Sequence, residues 1–143
     1  MPNKKRTGLR LRCEKGVNEE VRNVVIYFCQ WLRNEYDFPI RVVIYLKKAY
    51  RIKTIETHEL VTGSFFGPFN KNEEPYIRVA TGDFDELVQE RGKIDAFFAI
   101  LETIAHEIVH YCQWHHDEEF NEEEAEFQSK TIVDRYAETL EDI

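Results

Sequence analysis

Apolar residues recur every three or four positions from Val21 through Val24, Val25, Phe28 and Leu32, the period of a helix with one buried face. Asn18 stands just before this stripe and is followed by Glu19 and Glu20, an N-cap with acids that complement the helix dipole. The spacing predicts a first helix to about Tyr36, and Pro39 stops its continuation. The period then changes. "IRVVIYL", residues 40–46, is β-branched and apolar on both faces and predicts a well-covered strand. "IKTIETHELVTGSFFG" alternates and closes on Gly63, Gly67 and Pro68, which fits a second strand and a turn. Beyond the polar loop "NKNEEP", residues 76–81 alternate again, with Ile77 and Val79 on one face and Tyr76 and Arg78 on the other.

Helical spacing returns in the second half. Asp83 can cap a brief helix that breaks near Gly92. From Ile94 a longer helix carries Phe97, Phe98, Leu101, Ile104, Ile108 and Cys112 in one stripe. A last helix over residues 121–140 has Ala125, Ser129, Ile132, Val133 and Tyr136 on one side. One helix, a small sheet and then helices make an α+β domain.

At 143 residues the chain is one domain with a single core, and 43% hydrophobic residues with 13% aromatics exclude a disordered chain. No apolar run approaches the roughly 20 residues of a membrane span. The start is positively charged but lacks an apolar segment behind it, so export is not expected and the cytoplasm is the expected compartment. Cys13, Cys29 and Cys112 are odd in number and form no CxxC pair, as free thiols in a reducing compartment would be. A formal charge of -8 argues against nucleic acid as a partner. The exception is local: Lys4, Lys5, Arg6, Arg10, Arg12 and Lys15 make residues 1–16 a basic arm, read as a solvated tail ahead of a single domain at 17–143.

The candidate chemistry lies in "IAHEIVHYCQWHHDEEFNEEEAEF", which holds four of the five histidines. His106-Glu107-Ile108-Val109-His110 is an HExxH motif inside the long predicted helix. Histidines four apart share a helical face, with Cβ atoms roughly 5–6 Å apart, so both can reach one zinc ion at about 2.0–2.1 Å. Glu107 is turned about 100° from His106. It misses the metal but can act as general base on a water there. If it faces a watery cleft, its replacement by Gln should cost little stability.

A third ligand is required. His116 lies six residues after His110, as the third histidine does in HExxHxxGxxH, but Gln113 stands where that pattern has its chain-turning glycine. The alternative is a glutamate on the last helix. "NEEEAEFQSKTIV" resembles the third-ligand helix of small gluzincin-like metallopeptidases, among them the ImmA/IrrE type, with Glu124-Ala125, then small Ser129, then Ile132 and Val133. The resemblance covers roughly the C-terminal half and departs at Gln128, where an aspartate is common. It implies a zincin-like fold: an N-terminal helix, a small mainly antiparallel sheet, an HExxH helix and a C-terminal helix. It also implies Zn²⁺ held by His106, His110 and Glu124, with Glu122 and Glu123 in reserve should the helix phase differ. The strand at 76–81, with Tyr76 and Arg78, would lie along the cleft and bind an extended protein or peptide substrate. The function implied is a zinc-dependent peptidase with Glu107 as general base. The alternative is a non-catalytic, zinc-stabilised domain that binds protein or nucleic acid. His58 is read as a surface strand residue, and Tyr111 and Trp114 as packing residues.

Overall fold

A computed structural model describes residues 6–141, so Lys4 and Lys5 of the predicted arm lie outside the described residues. The chain begins with a strand. β1 (Leu9–Cys13) is followed by helix α1 (Glu19–Glu35) and strand β2 (Val42–Lys47). "LRLRC" alternates, and Leu9, Leu11 and Cys13 pack on the core while Arg10 and Arg12 are exposed. The charge of this stretch masked its period of two, so the basic arm ends at β1 and does not run to residue 16.

Asn18 caps α1 as expected, its side chain accepting from the backbone of Glu20 at 2.8 Å and Val21 at 3.1 Å. Val21, Val25, Phe28, Cys29 and Leu32 are its buried stripe. After β2 come two short strands, β3 (Ile52–Lys53) and β4 (Leu60–Val61), which pair with each other as a small hairpin. β5 (Gly63–Phe66) and β6 (Tyr76–Ala80) complete the strands. The stretch expected to form one strand thus breaks into three. His58 sits in the hairpin turn with φ of 58°, not on a strand.

The main sheet runs β1-β2-β6-β5. β1 and β6 flank β2 in parallel, and only β5 runs antiparallel, against β6. The sheet is therefore mixed, where a mainly antiparallel one was expected. The reason is the crossovers: α1 carries the chain back between β1 and β2, and the hairpin and β5 intervene between β2 and β6. Val42, Ile44 and Leu46 of β2 and Ile77 and Val79 of β6 are fully buried against the helices.

Helix α2 (Phe84–Arg91) follows Asp83, whose side chain makes no capping bond, and Gly92 separates it from α3 (Lys93–His115) at φ 86°. α3 lies between the sheet and α4 (Glu122–Glu141), burying Leu101, Ile104, Ala105 and Ile108 among others. Cys112, placed on its stripe by spacing, is exposed, and Tyr111 takes the inward position with its hydroxyl bonded to Ile40. Ala125, Ser129, Val133 and Tyr136 are the buried face of α4; the first two are small enough to let the helices approach closely. The architecture is α+β. No helix among the described residues is long and apolar enough to cross a membrane.

Candidate metal centre

The middle of α3 is fixed from both sides, and His106, Glu107 and His110 lie there. The ligand atoms of these three lie within 4.8 Å of one another, a group that can hold a metal ion. His106 is partly exposed, whereas His110 and Glu107 keep only 4% and 6% of their surface. The two imidazole rings are 4.9 Å apart.

The carboxylate that reaches them belongs to Glu122. One oxygen lies 2.9 Å from His106 Nε2 and the other 2.9 Å from His110 Nε2. Glu124, expected in this place, instead accepts from Gln113 Nε2 at 3.2 Å, and its backbone N–H is capped by Asn121 Oδ1 at 2.9 Å. Helix phase explains the correction. Residues two apart on a helix point about 200° apart, so the two glutamates cannot serve one site. Glu122 lies three residues before Ala125 and seven before Ser129, on the small-residue face that packs against α3. Extending that face back by one turn was the signal that identifies Glu122. The Asn121-x-x-Glu124 cap forms in one direction only, because Asn121 N–H donates to Gln113 Oε1.

Gln113 is a second residue that spacing did not single out. It is 1% exposed, and its Oε1 lies 2.8 Å from His110 Nδ1. Its Nε2 donates to the Asn121 carbonyl and to Glu124, each at 3.2 Å. The orientation of the amide follows. A carbonyl and a carboxylate only accept and the Asn121 N–H only donates, so Oε1 must face His110. His110 Nδ1 therefore carries a proton, and Nε2 is the ring nitrogen left facing the Glu122 carboxylate. Two acceptors at 2.9 Å require a proton or a cation between them. Two imidazole nitrogens and a carboxylate that converge in this way fit a borderline-soft divalent metal.

Glu107 does not face open water. Burial, and then the nearby Glu122 carboxylate, push its carboxyl up to about 8. It forms part of a cleft of about 630 Å³ between the β4–β5 stretch and α4, with α3 as its floor. Glu59, Glu102, Glu122 and Glu126 also line this cleft, against one ammonium, Lys130, which lies 3.8 Å from Glu126. β5 passes close over Glu107: a Cβ at Gly63 would stand 2.6 Å from Thr103 Cγ2 and 3.3 Å from Glu107 Cγ.

The other expected residues do not join this group. His116 caps the end of α3 and its Nδ1 bonds the Cys112 carbonyl at 2.9 Å. Tyr76 and Arg78 project from the sheet face opposite the helices, and β6 is paired on both sides, so neither can line the cleft as an edge strand would. The strand with a free edge beside the site is β5. Trp114 packs as expected, its Nε1 donating to the Pro68 carbonyl at 2.9 Å.

No protein-family model, curated protein or solved structure matches this chain.

Proposed function

We propose that this protein is a zinc-dependent peptidase. The observation that carries the reading is the convergence of His106 Nε2, His110 Nε2 and the Glu122 carboxylate beside a buried Glu107 in an open cleft. The three converging groups would hold the zinc ion, a set with room for a further ligand. When bound, zinc supplies Lewis acidity at the scissile carbonyl. Glu107 takes a proton from the attacking water and passes it to the departing amine. Gln113 holds the His110 ring in the tautomer that presents Nε2. The free edge of β5 supports backbone pairing with an extended substrate. The carboxylates on the cleft walls favour substrate segments rich in Lys and Arg.

The test uses the full chain. Purified protein should bind about one zinc, and His106→Ala and His110→Ala should each abolish binding. Against a panel of unstructured proteins, basic ones included, Glu107→Gln should keep zinc and lose about 10²–10⁴-fold in cleavage. Zinc retained in full by both histidine variants would refute the site. A Gln variant that cleaves as fast as the parent would refute the mechanism. Chelation separates this reading from a zinc-stabilised binding domain, which would lose its fold with the metal.

A further inference from the structure

The sheet face turned away from the helices carries a charge opposite to that of the protein as a whole. Register places two cross-strand rows on it. Arg10, Val43, Tyr76 and Phe66 lie side by side in one, and Arg12, Tyr45, Arg78 and Ser64 in the other. Arg10 and Arg12 occupy the β1 edge, Tyr45, Tyr76 and Arg78 the centre, and Phe66 the far side of the first row. Tyr76 and Phe66 stack with centroids 5.1 Å apart, and Tyr45 meets Tyr76 edge-on at 6.1 Å.

Acids leave this face uncompensated. Glu74 pairs with Arg41 and Glu14 with Lys47 at the strand ends. Among the described residues, Arg10, Arg12 and Arg78 have no carboxylate partner; Arg78 is partly covered, one guanidinium N–H donating to the Lys53 carbonyl at 3.3 Å while its Nε is buried without a hydrogen bond. At the Arg10 end the first row opens into a cavity of about 780 Å³ lined by Arg10, Arg33, Arg41 and one carboxylate, Asp37; Arg41 is also held by Glu74, and Arg33 Nε donates to the Leu9 carbonyl at 2.8 Å. In a chain of net charge -8, this is a local concentration of cations, of which the exposed Arg10 and Arg12 have no carboxylate partner, next to the exposed Phe66 and the half-buried Tyr45 and Tyr76.

We propose that this sheet face binds single-stranded nucleic acid, with phosphates at Arg10, Arg12 and the arginine-lined cavity and bases stacked on Tyr76 and Phe66. Cations that track a backbone beside aromatic platforms are what a flexible polyanion with planar bases requires. Three strand spacings of about 4.8 Å each give a row long enough for two or three bases, as on other four-stranded sheets that bind RNA. Duplex hides its base faces and does not fit. An acidic peptide would meet the arginines but leave the rings unused. The proposal is independent of the metal centre, which lies on the helical side of the sheet.

The test is fluorescence anisotropy with labelled oligo(dT) and oligo(U), separately, of about twelve nucleotides, within the ~4–16 spanned by single-strand binders. The full chain should bind with a dissociation constant of about 10⁻⁴–10⁻⁶ M, and the two sugars distinguish a DNA from an RNA site. Arg10→Gln with Arg12→Gln, both exposed, should flatten the salt dependence by about 1.4 in log–log slope for the two phosphates lost. Phe66→Ala should weaken binding about tenfold, while Lys93→Gln, on the helical side, should change nothing. Crosslinking of a 4-thiouridine oligomer to the unaltered chain should map to the peptide holding Phe66 or Tyr76, which keeps the test valid if a variant misfolds. Absence of binding at low salt, crosslinks only elsewhere, or equal binding of duplex or of polyglutamate of matched charge would overturn the proposal.

Discussion

Replacing Gln113 by Leu tests the link between the HExxH helix and the start of α4. Leu fills a similar volume but supplies neither the acceptor for His110 Nδ1 nor the donors for Asn121 and Glu124. Asn121 and Glu124 lie near solvent, where water replaces what they lose. His110 is 4% exposed, and its N–H would be stranded. One buried unsatisfied donor costs about 1–3 kcal/mol, which sets the expected loss of stability in urea unfolding of the metal-free protein. Loss of an outer-shell partner also costs metal affinity, about 10–100-fold, measured by chelator competition. Gln113→Glu separates the two effects. It keeps an acceptor for His110, so affinity should stay well above that of the Leu variant. It places a carboxylate beside Glu124, so stability should fall. If the Leu variant binds zinc as tightly as the parent, this bond does not orient His110 and the reasoning is wrong.

Glu122→Ala should weaken zinc binding severely while Glu124→Ala and His116→Ala leave it nearly unchanged; the reverse order, read by the same competition, would reinstate Glu124. In the metal-free protein the Glu107 carboxyl is raised by burial from about 4.5 to about 8. Its contribution to stability is therefore fully present below about pH 4.5 and is lost as pH rises through about 8, a change on the order of 5 kcal/mol. Glu107→Gln removes this dependence, so the variant's advantage over the metal-free parent in denaturant should grow from pH 5 to pH 9; an advantage that stays flat would show the carboxyl to be solvated. Gly63→Ala should cost about 1–3 kcal/mol by forcing β5 off Thr103, with cleavage falling further because the new methyl presses on Glu107. Unchanged melting and activity would mean that β5 does not hold that position.

The helices were legible because their patterns are long. The caps at Asn18 and Gly92 and the stripes of α1 and α3 fixed these elements to within a residue or two. The short strands were not. β3 and β4 pair over two residues each, too few for alternation to show, and β1 was concealed by the arginines on its outward face. Strand order is a long-range property, and no local period announces that β6 lies inside the sheet and β5 at its edge. At the site, the HExxH spacing alone was enough to bring His106, Glu107 and His110 into one group that could hold a metal ion. The carboxylate that meets the two imidazoles lies two residues before the Glu-Ala pair, because it follows the helical phase of Ala125 and Ser129. In the sequence Gln113 marks only the place where the three-histidine pattern has its glycine. Its role depends on α4 folding back to meet it, which spacing within α3 does not reveal.

The β3–β4 hairpin gives the cleft a wall that can be rebuilt. It hangs between β2 and β5, shares only a small contact with the main sheet through β6, and contributes Glu59 and Val61 to the rim. Its turn is exposed and holds itself with local bonds, such as Thr54 N–H to the Glu59 carbonyl at 2.8 Å. Doubling the length of such a loop costs only about 0.6 kcal/mol in closure entropy. Insertions there would reshape one side of the cleft while α3, α4 and their converging groups stay in place, which makes the hairpin the point of entry for grafting new selectivity onto this scaffold.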